Sequence, residues 1–247
     1  MSRIKFLNIM VDNLTMNEAV VEIDKLIQNR CNSYLVTPNV DHIVRLEEDK
    51  EFQRIYQNAD LILTDGMPLV WISKYLGNPI KEKVSGSDLF PKVCELANNK
   101  GYKMFLLGAA EGVAKKAACK LREKYVNIDI VGTYSPQYGF EEEIYEINKI
   151  IDIINSCRPD ILVVGLGAPK QEKFIYKYKE TLNVPISLAL GATIDFEAGN
   201  VKRAPKWMSN NGLEWLYRLI KEPRRMFKRY IIDDLKIIKI VKKYKKL

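Results

Sequence analysis

The chain predicts an α/β fold: a Rossmann-like, mostly parallel sheet with helices on both faces, followed by a basic helical C-terminal appendage. Three observations predict it. Short apolar runs alternate with helical patterns from Ser33 to Leu190. Those runs are nearly continuous in Val, Ile and Leu, as strands covered on both faces are. Charge is divided unevenly: between Lys202 and Leu247, 15 Lys or Arg stand against 4 Asp or Glu, so a chain of net charge +8 joins a slightly acidic body to a segment of net +11. The reading is one Rossmann-like domain over 1–200 and an appendage over 201–247.

Strands are predicted, in order, over 33–37, 60–64, 103–107, 129–132, 161–166 and 186–190. Their β-branched and aromatic content and their shortness favour strand over helix. Helices are predicted between them, over 41–49, 68–76, 88–99, 111–125, 141–156 and 171–181. The sheet-forming pattern stops near Gly199. Beyond Pro205 the chain becomes helical and basic, with Pro223 separating two helices. Over 235–247, at about 100° per residue, Ile237, Ile238, Ile240, Val241, Tyr244 and Leu247 share one side. Lys236, Lys239, Lys242, Lys243 and Lys246 take the other, and Leu235 and Lys245 break the partition. A helix of this kind lies in a membrane interface without crossing it.

Composition narrows the function. With 47% apolar residues the chain buries a sizeable core. His42 is the single histidine, which excludes a multi-histidine metal site. Cys31, Cys94, Cys119 and Cys157 are scattered without a C-x-x-C pair and read as reduced thiols. No run of 18 apolar residues spans a membrane, and the N-terminus lacks the apolar core of a secretion signal. The basic tail interleaves Trp207, Trp215, Tyr217, Phe227, Tyr230 and Tyr244 with its cations, a composition suited to anionic lipid headgroups or to nucleic acid.

In parallel sheets ligands sit beyond the carboxyl ends of the strands, so chemistry is sought in the loops there. Asp65, after the second strand, can serve as a general base or cap the helix that follows. Thr37 and Asn39, at the neighbouring exit, can orient a hydroxyl or an amide. The Gly108–Gly112 turn, containing Glu111, presents backbone N–H groups and a helix N-terminus to phosphate, or is simply a tight turn. It lacks the full G-x-G-x-x-G spacing of dinucleotide sites. Gly165-x-Gly167-x-Pro169 is a second such turn, and Gln171 just inside its helix donates to a sugar or phosphate, or faces water. Asp195-Phe196-Glu197 superficially resembles an acidic metal motif, but Asp195 reads better as a ribose or base contact. Tyr134 and Tyr138 stack on a nucleobase or pack; His42 reads as structural. Arg218, Arg224, Arg225 and Arg229 suit a diphosphate, because guanidinium offers paired N–H donors, or form a solvated basic face.

Taken together, Thr37-Pro-Asn-Val-Asp-His42, Thr64-Asp-Gly-Met-Pro68, Gly165-Leu-Gly-Ala-Pro-Lys-Gln-Glu172, Val201-Lys-Arg-Ala-Pro-Lys-Trp207, Gly212-Leu-Glu-Trp-Leu-Tyr-Arg218 and Glu222-Pro-Arg-Arg225 are specific. On these motifs, over nearly its whole length, the chain resembles the TagA/WecG glycosyltransferase family of bacterial surface-polymer assembly. The resemblance implies transfer of an N-acetylmannosamine-type sugar from a UDP donor to N-acetylglucosamine on undecaprenyl diphosphate, with inversion and without metal or other cofactor. It implies Asp65 as the base, Thr37, Asn39 and Gln171 around the reacting sugars, and tail arginines, most plausibly Arg218, Arg225 and Arg229, completing the site. It places the enzyme peripherally on the cytoplasmic face of the bacterial membrane, held to anionic lipid through 201–247. We expect the tail to fold over the nucleotide site only on that membrane, so that activity is coupled to location. UDP-N-acetylmannosamine uronic acid and UDP-glucose are alternative donors, and exposed apolar faces admit pairing of two copies. The rivals are a nucleic-acid-binding protein using the basic tail, which leaves Asp65, Asn39 and the glycine loops without a role, and a nicotinamide-dependent oxidoreductase, which the incomplete glycine pattern disfavours.

Overall fold

The structure, a computed structural model, describes residues 3–205, 207–208, 213–221, 223 and 234–245, with the backbone alone at 218 and 234. Its centre is a six-stranded, all-parallel sheet built from β3 (Ser33–Val36), β4 (Leu61–Ile62), β5 (Lys103–Gly108), β6 (Asp129–Tyr134), β7 (Ile161–Gly165) and β8 (Ile186–Ala189). The strands lie in the order β4-β3-β8-β7-β5-β6. All six predicted strands are present, each within a few residues of its predicted bounds.

Alternate strand residues point to opposite faces, and each face has its own core. Tyr34, Val36, Phe105 and Leu107 face α2 (Val40–Glu48), α3 (Lys50–Gln57), α4 (Met67–Tyr75), α7 (Ile144–Cys157) and α8 (Lys170–Leu182). Leu35, Met104 and Leu106 face α1 (Met16–Asn29), α5 (Gly86–Lys100), α6 (Val113–Lys124) and α9 (Thr193–Ala198). Three of these helices, α1, α3 and α9, have no counterpart among the predicted elements. Helix α1 opens on a capping box in which Thr15 and Glu18 bond each other's backbone N–H. Helix α3 is capped by Asp49.

An N-terminal antiparallel hairpin, β1 (Arg3–Phe6) and β2 (Ile9–Asp12), was likewise not predicted. It closes the β4 edge through side chains. Asp12 accepts from the Ile62 N–H at 2.9 Å, and Arg3 forks onto Asp12 at 3.0 Å while reaching the carbonyls of Ala59 and Asp60. An otherwise open sheet edge is thereby covered.

The described parts of the tail lie against the body. Arg203 donates to the Ser87 carbonyl at 3.1 Å and to Asp88 at 2.5 Å, at the start of α5. Burial works against the Asp88 charge, but hydrogen bonds from Lys83, Ser85 and Arg203 outweigh it and hold its pKa down to about 2. The helix predicted over 235–247 is observed as Ile237–Lys245. Its apolar side is not turned to solvent: Ile240 is buried, and Ile237, Val241 and Tyr244 pack on the same core as α2. Ion pairs flank this seam, Lys236 with Glu48 at 3.3 Å and Lys243 with Glu47 at 2.8 Å. Ile238 departs from the predicted partition and stays half exposed.

Candidate functional site

Because β8 lies between β3 and β7, and β4 borders β3, four strand exits adjoin at one end of the sheet. Thr37 leaves β3 buried, its hydroxyl donating to the Ala189 carbonyl of β8 at 3.5 Å. Asn39 caps α2: its Oδ1 accepts from the His42 backbone N–H at 3.4 Å and lies 2.8 Å from His42 Nδ1. Asp65, half-buried, leaves β4, and its N–H donates to the Pro38 carbonyl at 2.8 Å, tying its turn to the one that carries Asn39. The N-cap position of α4 is Gly66, at φ 101°, so Asp65 stands one residue before the cap.

Gln171 enters the same assembly, but inside it. Its Oε1 accepts from the Gly191 N–H at 3.1 Å and its Nε2 donates to Glu172 at 2.9 Å. It is 4% exposed, which sets aside the water-facing one of its two sequence readings. Beneath lies Tyr56. Burial raises its phenol well above the ordinary range, and the nearby carboxylates of Glu172, Asp41 and Asp65 raise it further. Thr37, Asn39, Asp65 and Gln171 are therefore brought together, along with His42, which the sequence reading set beside the mouth as a structural residue, and with Tyr56 and Glu172, which it did not place there. An acidic residue in the first turn of α8 is ordinary helix chemistry. Only the strand order reveals that it meets His42.

The glycine turns divide into two kinds. At Gly108, φ +118°, a Cβ would stand 2.4 Å from the Gly165 carbonyl oxygen, and at Gly165 it would stand 2.7 Å from that of Gly191. These glycines let the exits of β5, β7 and β8 touch backbone to backbone. The Ala109 N–H is spent on Gly165 O at 3.0 Å. Gly112 and Gly167, at φ +75° and +78°, have open space where a side chain would be.

Glu111 and Tyr138 line a cleft of about 760 Å³ beyond β5, β6 and β7, together with Tyr134, Ser135, Lys149 and Lys170. Tyr138 stands fully exposed on its rim, with Lys170 Nζ 4.6 Å above the ring. Tyr134 is held by its hydroxyl to Glu146 at 2.5 Å. Asp195 belongs elsewhere. It lines a second pocket, about 410 Å³, between α9 and the helix Glu214–Lys221, with Lys202, Tyr217 and Lys221. Burial there raises its pKa, against a hydrogen bond from its own backbone. The two pockets share no lining residue. Arg218 is a position on the helix Glu214–Lys221; Arg224, Arg225 and Arg229 lie outside the described residues.

This geometry defines a Rossmann-like α/β protein in which neighbouring strand exits converge, the region where such sheets take ligands, and it brings a carboxylate, a hydroxyl and an amide together there. The chain belongs to the glycosyl transferase WecG/TagA/CpsF family, whose model matches residues 4–247. Among similar proteins, an N-acetylglucosaminyldiphosphoundecaprenol N-acetyl-beta-D-mannosaminyltransferase of Bacillus subtilis (strain 168) is 34% identical over 199 residues, covering 81% of this chain and 75% of that one. Proteins of the same name from Bacillus spizizenii and Staphylococcus aureus (strain MW2) are 32% and 27% identical. They cover 86% and 99% of this chain, and 80% and 96% of their own. Membership of a glycosyltransferase family sets aside both the nucleic-acid-binding and the oxidoreductase readings.

Proposed function

We propose that this chain transfers N-acetylmannosamine from UDP to the N-acetylglucosamine of an undecaprenyl-diphosphate-linked acceptor, with inversion, Asp65 acting as general base. The observation that carries the mechanism is the placement of Asp65. It stands at a strand exit, one residue before the Gly66 N-cap of the helix behind it, and its turn is tied by backbone to the one bearing Asn39. In a single displacement the base removes the acceptor hydroxyl proton as that oxygen attacks the anomeric carbon and UDP departs from the opposite face. Thr37 and Asn39 belong to the walls around the sugars. Gln171 acts from within, as a support rather than a contact.

The cleft beyond β5 to β7 suits the uridine end of the donor. Its lining carries Glu111, Glu141, Glu143 and Glu146 against Lys149 and Lys170, an unfavourable field for a diphosphate. Charge for the departing UDP comes instead from helix N-termini and the tail arginines, including Arg218, Arg224, Arg225 and Arg229. Asp195 is kept as a substrate contact reached through the α9 pocket. In this reading 1–200 is the catalytic body and 201–247 an appendage that meets anionic lipid on the cytoplasmic face. Among the described residues no helix is long and apolar enough to cross a membrane. Since the apolar side of the last helix is docked, contact with lipid falls to outward groups: Ile238, Lys242 and Lys245, beside Tyr75 and Trp71, which are 61% and 48% exposed. Aromatic and lysine side chains of this kind suit the headgroup region.

Mass spectrometry of products from a UDP-sugar panel with a short-chain lipid diphosphate acceptor tests the reading. Addition of one N-acetylhexosamine from UDP-N-acetylmannosamine is expected. Preference for the uronic acid or glucose donor would correct the sugar, and no transfer from any donor would overturn the function.

A further inference from the structure

A buried polar chain runs behind the site, and the proposed chemistry gives no role to its central members, His42 and Glu172. Glu172 is 1% exposed. Its Oε1 accepts from Gln171 Nε2 at 2.9 Å and lies 3.4 Å from His42 Nε2, while its Oε2 has no hydrogen-bond partner among the described residues. The other ring nitrogen of His42 stands 2.8 Å from Asn39 Oδ1. At the far end, Gln171 Oε1 holds the Gly191 N–H at 3.1 Å. The ring itself is fixed, stacked on Phe52 at 5.9 Å and against Tyr56 at 6.3 Å. Asn39, His42, Glu172, Gln171 and Gly191 thus form one continuous path from the exit of β3, through the first turn of α8, to the exit of β8.

A carboxylate in this position is a poor way to gain stability. Its burial is costly, and apolar side chains of similar volume commonly replace buried ionic groups without loss. What the path does achieve is orientation. With its oxygen engaged by His42, the Asn39 amide has its nitrogen, a donor, on the side away from that ring. With Gln171 locked to Glu172, the Gly191 backbone is fixed on the opposite wall. We propose that Glu172 and His42 are a positioning pair: neither touches substrate, and together they set the Asn39 amide and the Gly191 wall for the transfer step. This rests on the transferase reading above, in which Asn39 borders the reacting sugars.

The test uses the full chain with Glu172→Gln, His42→Gln, the double variant, and Glu172→Gln combined with Asn39→Ala. Each single variant is expected to lower kcat about 10- to 100-fold and to leave KM for the donor within about twofold and the melting temperature near that of the parent. The double variant is expected to be no worse than either single one, since the two act as a unit. Glu172→Gln is expected to add less than about twofold once Asn39 is already alanine. Unchanged kcat in a folded variant, losses that multiply, or a full Glu172→Gln effect without Asn39 would overturn the pair. Should Glu172→Gln not fold, His42→Gln decides. Parental activity separates the two claims: transfer by the parent with unaffected variants sinks only the pair, whereas no transfer by the parent sinks the reading beneath it. A measurement free of turnover then still decides. The Asn39 side-chain amide is expected as one sharp nitrogen-15 resonance in the parent and as a shifted or exchange-broadened one in either single variant. Identical resonances would overturn the proposal.

Discussion

Asp65 and Gly108 show what single residues contribute here. Asp65 carries the proposed proton transfer, and Asp65→Asn keeps shape while removing the base. Turnover should fall by about 10² to 10⁴, with UDP binding by calorimetry within a few-fold of the parent; near-normal turnover would remove Asp65 from that role. Gly108→Ala tests packing. The added methyl would meet the Gly165 carbonyl at 2.4 Å in a backbone conformation, φ +118°, that L-residues rarely adopt. We expect a loss of more than about 2 kcal/mol in urea unfolding, since both partners are backbone and neither yields easily. Residue identity announced Thr37, Asn39 and Asp65 because each follows a strand. It did not announce Glu172, whose significance is a meeting with His42 from a helix 130 positions along the chain. It also gave Gly108 and Gly165 two readings, phosphate cradle or tight turn, and the close passage of three strand exits favours the second.

Elements were legible where their periodicity was strong. The central strands are continuous apolar runs buried on both faces, and their shortness and β-branched content separate them from a buried helix. The hairpin at the N-terminus is short and attached through Arg3 and Asp12 rather than through a ladder to the sheet, so its strands carry no such run. Helices α1 and α3 did carry readable starts, the Thr15–Glu18 box and the Asp49 cap, and reading caps before strands would have found them. The contact between tail and α5 gives a pH prediction. Asp88 titrates at about 2 in the fold and near 3.9 when unfolded. A carboxylate depressed in this way stabilises fully above about pH 5, and the contribution is lost as pH falls through 2. Asp88→Asn should therefore flatten the stability profile between about pH 5 and 2, by about 1 kcal/mol once solvent screening is allowed for. Chemical denaturation across that range measures it, and an unchanged slope would show that Arg203 and Lys83 contribute nothing there.

At the scale of the whole molecule, the division of charge suits the proposed meeting of a soluble donor with a lipid-held acceptor. The body is slightly acidic and the tail carries net +11. The sequence showed this division, but it could not show that the amphipathic helix uses its apolar side on the body, since solvent, lipid and a protein core all accept such a face. In this account lipid association is largely electrostatic. Vesicles rich in anionic lipid should sediment the intact chain and not one ending at Gly199, and about 0.5 M salt should release most of it, because screening then acts within a few ångströms. Retention of the shortened chain would move the lipid contact to the body.

The central claim is that donor and acceptor converge where the exits of β3, β4, β7 and β8 adjoin. A crystal or cryo-EM structure of the full chain with UDP tests it most directly. The account predicts the diphosphate beside the Asp65 turn with uridine extending into the cleft beyond β5 to β7; a nucleotide seated at the opposite end of the sheet, remote from Asp65, would contradict it.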